Sequence, residues 1–236
     1  MLNFDDYAVL TFDCYGTLID WETGIWQAIS PVLSAHGIMM TQDEALTLYG
    51  ELESAAERAE YQTYKSVLRS VLAGFGTRLG FTPTEAELDT FSHSVKDWPA
   101  FSDSAQALKA LSTKYKLAIV SNVDDDLFAY SAKKLEAPFT WVITAQQVRS
   151  YKPAPGHFQE AFARIGLPRD KFLHVAQSLF HDIAIAKSLG LATVWVNRRH
   201  GKAGTGATLP TEATPDLVVP DLESLARLIG LMTNPE

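Results

Sequence analysis

The chain has 236 residues, of which 47% are hydrophobic, and a formal net charge of −8. These values are typical of a globular protein with one large domain, or with a core domain and a smaller insertion. Lys and Arg are scattered and form no basic stripe, which argues against a nucleic-acid partner.

The cysteine count and the N-terminal segment bear on cellular location. Cys14 is the only cysteine, so an intrachain disulfide is excluded and an oxidising compartment is not required. The first 20 residues contain no Lys or Arg. No apolar stretch approaches the ~20 residues that a membrane span needs. We therefore expect a cytoplasmic protein that does not bind membranes. A homodimer is a possible oligomeric state.

The first predicted strand ends at an acidic residue. Residues Tyr7 to Phe12 form an apolar run that favours a buried central strand, and Asp13 follows directly. Gly16 lies in the next turn and lets the backbone approach a ligand closely. Ligands bind at the carboxyl ends of strands in open α/β sheets, but Asp is also a common helix N-cap. Taken alone, Asp13 leaves both interpretations open.

The segment from Asp20 to about Val95 contains helical patterns and no convincing strand. Such an insertion between the first two strands predicts a cap over the strand ends, with residues 21–95 as a helical cap domain and residues 1–20 and 96–236 as the core domain. The return to the core lies near residues 98–101. Two capping boxes are expected, at Thr41–Glu44 and Thr82–Glu85. The four predicted helices are Thr23 to His36, Asp43 to Glu60, Tyr61 to Leu79 and Glu85 to Val95.

The remainder of the chain alternates between strands and helices. This alternation predicts an α/β fold, a Rossmann-like doubly wound parallel sheet with helices on both faces. The predicted strands are Leu117 to Val120, Trp141 to Ala145, Phe172 to Ala176, Ala192 to Asn197 and Asp216 to Val219. The predicted helices are Ser104 to Lys114, Asp124 to Glu136, Pro155 to Ile165, His181 to Leu189 and Leu222 to Ile229.

Polar residues follow several of these strands. Ser121 and Asn122 follow the second strand, Lys152 precedes Pro153, and Asp182 lies just beyond the fourth strand. Each has an ordinary explanation alone: a helix cap for the serine, a solvated surface for the lysine. Because the carboxyl ends of parallel strands share one edge of the sheet, we expect these side chains to converge with Asp13.

The order of these residues resembles the haloacid dehalogenase superfamily over nearly the whole chain. The resemblance rests on Asp13-x-Tyr15-Gly16-Thr17, Ser121-Asn122, Lys152-Pro153 and Asp182, and on a helical insertion placed and sized like the small cap of that family. The superfamily contains phosphatases and carbon–halogen hydrolases, so the branch depends on individual positions.

Two positions separate the branches. Phosphatases of the superfamily carry an acid two residues after the nucleophile, where this chain has Tyr15, and a Gly-Asp pair for Mg²⁺, where it has Ala176-Gln177. Tyr15 matches the (S)-2-haloacid dehalogenases, whose halide leaves without a proton and without a metal. The resemblance therefore implies a hydrolase acting on a small carboxylate substrate with no metal and no cofactor. The main interpretation is therefore (S)-2-haloacid dehalogenation. The first alternative is the ring opening described below, and a small-molecule phosphatase is the second alternative.

The resemblance also implies roles for the site residues. Asp13 would displace the substituent at C2 with inversion and form an aspartyl ester that water hydrolyses. Lys152 would keep Asp13 ionised, Thr17 and Ser121 would hold oxygens, and Asp182 would orient the water or Lys152. The expected substrate-binding residues are Cys14, Tyr15, Asn122, Gln177 and Ser178. For Cys14, a small buried side chain is the favoured interpretation over a nucleophile.

A second resemblance is to azetidine-2-carboxylate hydrolases, in residues 12–24, 98–101 and 198–202. Those enzymes open a strained cyclic amine at the carbon beside a carboxylate, and a protonated nitrogen leaves as a neutral amine without an acid. A halide site has apolar walls and N–H donors, whereas an ammonium site has carboxylates or aromatic faces. A solvated helix face explains most such acids, but the candidates for an ammonium are Glu51, Glu53, Glu57 and Asp124.

The sequence also bears on the cap arginine, on three histidines and on the cluster of residues 198–202. Well-known dehalogenases carry an arginine early in the cap, and this chain has no aligned one, since Arg58 and Arg69 lie deeper. We expect His174, His181 and His200 at the surface or in supporting positions. The cluster 198–202 either borders the site or is a solvated loop. A catalytically silent binding protein also stays open.

Overall fold

Six parallel strands form one sheet, in the spatial order β3-β2-β1-β4-β5-β6. The computed structural model describes residues 2–202 and 204–233 of the chain. The α/β fold class expected from the alternating pattern is therefore confirmed. The strands are β1 Val9–Phe12, β2 Lys116–Ser121, β3 Phe139–Thr144, β4 Phe172–Ala176, β5 Ala192–Val196 and β6 Leu217–Val219.

Helices flank the sheet and follow the predicted pattern closely. The bounds differ from expectation by a few residues, mostly because the terminal turns are irregular. A short helix after β3 was not predicted, and the helix expected from His181 begins instead as a π-helical segment, Leu179–Ile183. The α-helices are α1 Trp21–Ala35, α2 Gln42–Glu57, α3 Tyr64–Leu79, α4 Glu85–Ser92, α5 Ser104–Leu111, α6 Asp125–Leu135, α7 Ala145–Val148, α8 Gly156–Ile165, α9 Ala184–Ser188 and α10 Leu222–Leu228.

Strand β1 is central because its residues are apolar on both faces. Val9, Leu10 and Phe12 are fully buried. The strand pairs with β2 on one side and β4 on the other, and Phe12 lies opposite Ile119 and Val175. This register brings the residues that follow the three strands to one edge of the sheet, as a parallel arrangement requires.

The helices α1 to α4, called the cap helices below, lie between β1 and β2 in the chain. Tyr49 of α2 and Tyr64 of α3 are buried between them. Two backbone hydrogen bonds join the chain where it leaves and re-enters the core: Asp20 N–H donates to Pro99 O at 2.8 Å, and Phe101 N–H donates to Leu18 O at 3.1 Å. The exact domain boundaries stay a prediction.

One capping box lies two residues later than predicted. The box at Thr41 and Glu44 is present, but the second is formed by Thr84 and Glu87, so the expected box at Thr82–Glu85 is wrong. Pro83 packs against the end of α3 at Gly76 and turns the chain there before the helix begins. Within the described residues, no helix has both the length and the apolarity to cross a membrane.

Candidate active site

Asp13 lies on a tight turn directly after β1 and is 6% exposed. The turn requires Gly16, whose φ is +89° and whose added Cβ would lie 2.9 Å from Gln177 Oε1 and from Trp21 Nε1. Thr17 Oγ1 donates to Asp13 Oδ2 at 2.7 Å and accepts from the Gln177 backbone N–H at 2.8 Å. The turn after β1 is thereby fixed to the turn after β4.

Lys152 joins the two buried carboxylates of the site. Its Nζ donates to Asp13 Oδ1 at 2.9 Å, to Asp182 Oδ1 at 2.7 Å and to Val120 O at 2.8 Å. The lysine is 2% exposed. The ammonium therefore has all three of its hydrogens engaged and stands between the strand ends of β1, β2 and β4.

The charges of Asp13, Lys152 and Asp182 shift one another's pKa values. Burial raises the pKa of the Asp13 carboxyl, Lys152 opposes that shift and Asp182 adds to it. Burial would also raise the pKa of Asp182, but Lys152 and His174 lower it to about 2. Burial opposes the charge of Lys152, yet Asp13 and Asp182 outweigh it and raise the pKa of the lysine. Lys152 is thus a fixed cation between the two carboxylates.

Two buried side chains, His174 and Thr11, form a hydrogen-bonded chain that supports Asp182. His174 Nε2 lies 3.1 Å from Asp182 Oδ1, and His174 Nδ1 lies 2.9 Å from Thr11 Oγ1. Both His174 and Thr11 come from strands of the sheet and are essentially unexposed. His174 therefore occupies the supporting position expected for it, whereas Asp182 Oδ2 is buried and has no hydrogen-bond partner.

A small cavity of about 30 Å³ lies between the sheet edge and the cap helices and is called the inner cavity below. A larger cavity of about 370 Å³ adjoins it and shares Glu57 and Lys152 with it. Seven residues predicted for the site line the inner cavity: Asp13, Tyr15, Ser121, Asn122, Lys152, Ser178 and Asp182. Five further residues complete its lining: Trp21, Glu53, Glu57, Tyr64 and His181.

Three predicted residues do not line the inner cavity. Thr17 lies behind Asp13, where it holds the carboxylate. Cys14 is fully buried, and burial raises the pKa of its thiol well above the ordinary value, so the thiol stays protonated. Gln177 contacts the turn after β1 through Thr17, and its backbone oxygen accepts from Trp195 Nε1 at 2.7 Å. These three residues therefore lie outside the cavity lining, next to the turn that carries Asp13.

Tyr15 and Asn122 line the cavity but have protein partners. The Tyr15 hydroxyl lies 3.0 Å from Ser131 Oγ, and burial raises the pKa of the phenol well above its usual value. Asn122 accepts from the Lys152 backbone N–H at 2.8 Å and donates to Glu57 at 3.3 Å. Asn122 therefore joins the core to α2.

The cap contributes two buried glutamates, Glu53 and Glu57, which are ammonium candidates in the sequence, where a solvated helix face is the commoner explanation. Glu53 is 3% exposed, and its Oε1 accepts from Tyr64 at 2.6 Å and from Tyr49 at 3.0 Å. The side chain of Glu57 is 6% exposed. The spacing of these residues is a signal in the sequence, since Ala45, Tyr49 and Glu53 recur every four residues on one buried stripe of α2, and Glu57 follows one turn later.

The remaining charged candidates have structural partners. Glu51 is exposed, whereas Asp124 is buried and accepts from the backbone N–H groups of Tyr64 and Lys65 at 2.9 and 3.0 Å, which ties the core to α3. Arg198 donates to Thr17 O at 2.9 Å and supports the turn after β1.

Three comparisons place the chain among known proteins. Residues 10–196 match the family model described as haloacid dehalogenase-like hydrolase. The chain belongs to the haloacid dehalogenase-like hydrolase family. This assignment makes the protein a hydrolase of the haloacid dehalogenase type, as the strand-end motifs predicted.

Similar proteins in this family include dehalogenases. The chain is 26% identical over 200 residues to (S)-2-haloacid dehalogenase 4A of Burkholderia cepacia, covering 83% of this chain and 85% of that protein. It is 31% identical over 119 residues to the haloacid dehalogenase-like hydrolase domain-containing protein 3 of Danio rerio, a match that spans about half of each chain, 50% and 49%.

The fold likeness extends over nearly the whole chain. The L-2-haloacid dehalogenase of Xanthobacter autotrophicus superposes with a TM-score of 0.78 at 24% identity, covering 96% of this chain and 100% of that one. A defluorinating L-2-haloacid dehalogenase superposes with a TM-score of 0.80 at 23% identity, covering 98% and 99% of the two chains. At these identities the likeness shows the shared fold.

Proposed function

We propose that this hydrolase displaces a halide at C2 of a small (S)-2-haloacid by attack of Asp13. The observation that carries the proposal is the setting of Asp13: Lys152 holds Oδ1, Thr17 holds Oδ2, and the buried Asp13 lines the inner cavity. A fixed, desolvated carboxylate beside a cation is suited to displacement at carbon. The relative in Burkholderia cepacia is an (S)-2-haloacid dehalogenase, which supports a halide as the leaving group.

The absence of a general acid at position 15 supports the same chemistry. Tyr15 stands where a general acid would be needed for a phosphate ester, and its hydroxyl is engaged with Ser131. A halide leaves with its electron pair and needs no proton. Ser121 Oγ is fully buried, lines the cavity and has no protein partner, so it is available for an oxygen of the substrate carboxylate.

The reaction has two steps. An oxygen of Asp13 forms a bond to C2 while the carbon–halogen bond breaks, with inversion at C2, and the halide takes the bonding electrons. Water then adds to the carbonyl carbon of the aspartyl ester, and the 2-hydroxy acid leaves with regeneration of Asp13. The dehalogenase of Xanthobacter autotrophicus has been crystallised with chloropropionic acid covalently bound, which is consistent with such an intermediate.

The test is a direct assay of product and leaving group. Incubation with (S)-2-chloropropionate should release one chloride per molecule of lactate, and the lactate should be the (R) enantiomer. Chloroacetate should yield chloride and glycolate. No chloride release from either acid, with azetidine-2-carboxylate consumed in the same assay, would replace the halide proposal with the second candidate described below.

Activity should survive exhaustive treatment with EDTA. The cationic position between Asp13 and Asp182 is taken by Lys152 Nζ, at 2.9 and 2.7 Å, and Gln177 stands where the phosphatases carry a carboxylate. A hard divalent cation prefers oxygen ligands, usually carboxylates. We expect turnover within about twofold of the untreated enzyme, a change of well under 1 kcal/mol in the barrier. Loss with EDTA, recovery with Mg²⁺ alone and turnover of p-nitrophenyl phosphate would instead support a phosphatase.

Ring opening of azetidine-2-carboxylate is the second candidate, and one observation favours it. Glu53 and Glu57 line the inner cavity without a cationic partner of their own, beside the aromatic rings of Trp21 and Tyr64. Burial raises the pKa of Glu53 to about 7 and that of Glu57 well above 4.5. A substrate ammonium would stabilise both carboxylates, whereas a halide would gain nothing from them.

Replacing both glutamates separates the two leaving groups. If the substrate nitrogen binds there, Glu53→Gln with Glu57→Gln should raise the KM for azetidine-2-carboxylate by about 10- to 100-fold, because a hydrogen bond to a charged group contributes ~1.5–3 kcal/mol. Turnover of (S)-2-chloropropionate should not fall. The matched control is Glu51→Gln, an exposed glutamate of the same helix. An unchanged KM for the amine in the double variant would remove the basis for this candidate.

A further inference from the structure

A residue that lines the inner cavity carries a buried imidazole nitrogen with no hydrogen-bond partner. His181 is 9% exposed and lies in the π-helical segment that follows β4. Its Nε2 is buried without a hydrogen-bond partner, and the residue lines the same cavity as Asp13. Buried polar atoms are nearly always hydrogen-bonded in folded proteins, so an orphaned nitrogen in a reaction cavity points to a reactant as its partner.

The ring of His181 is held from its other side. Ser178 Oγ accepts from the His181 backbone N–H at 2.9 Å and lies 3.3 Å from His181 Nδ1. In the tautomer whose Nδ1–H donates to Ser178 Oγ, Nε2 carries the lone pair. Burial lowers the pKa of His181 to about 4; Asp182 opposes this shift, and Lys152 and Arg58 add to it. The imidazole is therefore neutral near pH 7 and able to accept a proton.

Two neighbouring groups complete the arrangement. Glu57 Oε2 lies 3.8 Å from His181 Nε2, which is beyond hydrogen-bond distance. Asp182 Oδ2 is also buried and has no hydrogen-bond partner, and Asp182 lines the same cavity. His181 Nε2 and Asp182 Oδ2 are therefore two polar atoms of the kind that a bound water needs as partners.

We propose that His181 is the general base that activates the water for hydrolysis of the Asp13 ester. This inference rests on the proposed function, because it requires the ester. It applies equally to a halide and to an amine as leaving group, since both routes pass through an ester on Asp13.

The proton balance of the step is complete. His181 Nε2 takes one proton from water while the water oxygen bonds to the carbonyl carbon of the ester. The tetrahedral intermediate collapses, the bond to the substrate oxygen breaks, and the departing alkoxide takes the proton from the imidazolium to give the 2-hydroxy acid. Asp13 is left as a carboxylic acid and releases its proton to solvent.

Asp182 is less suited to this proton transfer. Its Oδ1 already accepts from Lys152 and His174, and the pKa of its carboxyl is lowered to about 2. Both of these donors stabilise the ionised carboxylate at Oδ1. Asp182 instead fixes Lys152 and offers Oδ2 as an acceptor that orients the water.

The test is the fate of the covalent intermediate in His181→Gln. In a rapid-mixing experiment with (S)-2-chloropropionate and with azetidine-2-carboxylate, the first turnover should release leaving group within about threefold of the wild-type rate. Steady-state turnover should fall about 10²- to 10⁴-fold, the usual contribution of a general base. Mass spectrometry of the acid-quenched variant should show an ester on the peptide containing Asp13. His200→Gln, at an exposed histidine, is the matched control and should show neither effect.

The outcomes separate this inference from the proposed function. If wild type and His200→Gln release no leaving group from either substrate, the proposed function fails and the inference fails with it. If wild type turns over but His181→Gln keeps its steady-state rate and accumulates no ester, only the inference is overturned. Should His181→Gln fold poorly by circular dichroism, His181→Ala with added imidazole replaces it. Restored hydrolysis of the accumulated ester by imidazole supports the inference, and no ester in that variant overturns it.

Discussion

Asp13→Asn should abolish turnover while the protein still folds. Covalent displacement needs an ionised carboxylate oxygen, and a neutral amide is not a nucleophile of comparable strength. The fold should tolerate the change because four carboxylates, Asp13, Glu53, Glu57 and Asp182, line the inner cavity with Lys152 as the cation that Asp13 and Asp182 share. Removing one negative charge leaves the Lys152–Asp182 pair intact.

The measurement is leaving-group release by the purified variant, together with circular dichroism and thermal unfolding. We expect at least about a 10⁴-fold loss in kcat, a barrier increase of more than ~5 kcal/mol. Asp170→Asn, at an exposed aspartate before β4 and therefore at the opposite edge of the sheet, should behave as wild type. A well-folded Asp13→Asn enzyme with measurable steady turnover would show that another group attacks the substrate.

Lys152→Met should have the next largest effect. The ammonium contacts Asp13 and Asp182 at 2.9 and 2.7 Å and is 2% exposed. At ~4 Å and an effective dielectric constant of about 20, such a contact is worth ~4 kcal/mol before desolvation. Removing one partner of a buried pair usually costs ~3–5 kcal/mol. If that cost falls on the reacting state, kcat/KM should drop by about two to four orders of magnitude.

The residual activity of Lys152→Met should also need a higher pH. Burial and Asp182 raise the pKa of Asp13, and Lys152 is the main group that opposes them. Without the ammonium the pKa of Asp13 rises further, so the ionised nucleophile is lost at a higher pH as the solution is acidified. The acidic limb of the pH–rate profile should therefore move upward relative to wild type.

The control is Lys187→Met, which removes a partly exposed ion pair with Asp216. Surface pairs of this kind contribute ~0–1 kcal/mol, so the control should keep its rate and its pH profile. A folded Lys152→Met enzyme within about tenfold of wild type, a barrier change of ~1.4 kcal/mol, with an unshifted acidic limb would contradict the role of Lys152 as counter-ion.

The core half of the site follows from the sequence because strand order dictates it. Asp13, Ser121 and Asp182 follow parallel strands that share one edge of the sheet, so their convergence needed no knowledge of side-chain packing. The position of Lys152 could be predicted for the same reason, because this residue comes after β3, the neighbour of β2 on the side away from β1. Asn122, which follows β2, accepts from the Lys152 backbone N–H. Hydrophobic runs and strand ends are local features, and local features are readable in a chain.

The cap half could not be read in the same way. Glu53, Glu57 and Tyr64 reach the cavity only because α2 and α3 dock over the strand ends, and the contacts that dock them are long-range. An acid on an amphipathic helix is usually solvated, and sequence periodicity does not say which face meets a distant sheet. The sequence predicts a surface or supporting position for His181, and it does not show that the π-helical segment after β4 places this residue in the lining of the inner cavity.

The covalent route through Asp13 is tested most directly by isotope labelling in a single turnover. Enzyme in excess over (S)-2-chloropropionate is allowed to react once in ¹⁸O-water, and the peptide containing Asp13 and the lactate are analysed by mass spectrometry. Water attacks the carbonyl carbon of the ester, so the ¹⁸O should appear in Asp13 while the lactate of the first turnover stays unlabelled. Label in that first lactate, with none in Asp13, would show that water displaces the halide directly and would contradict the account.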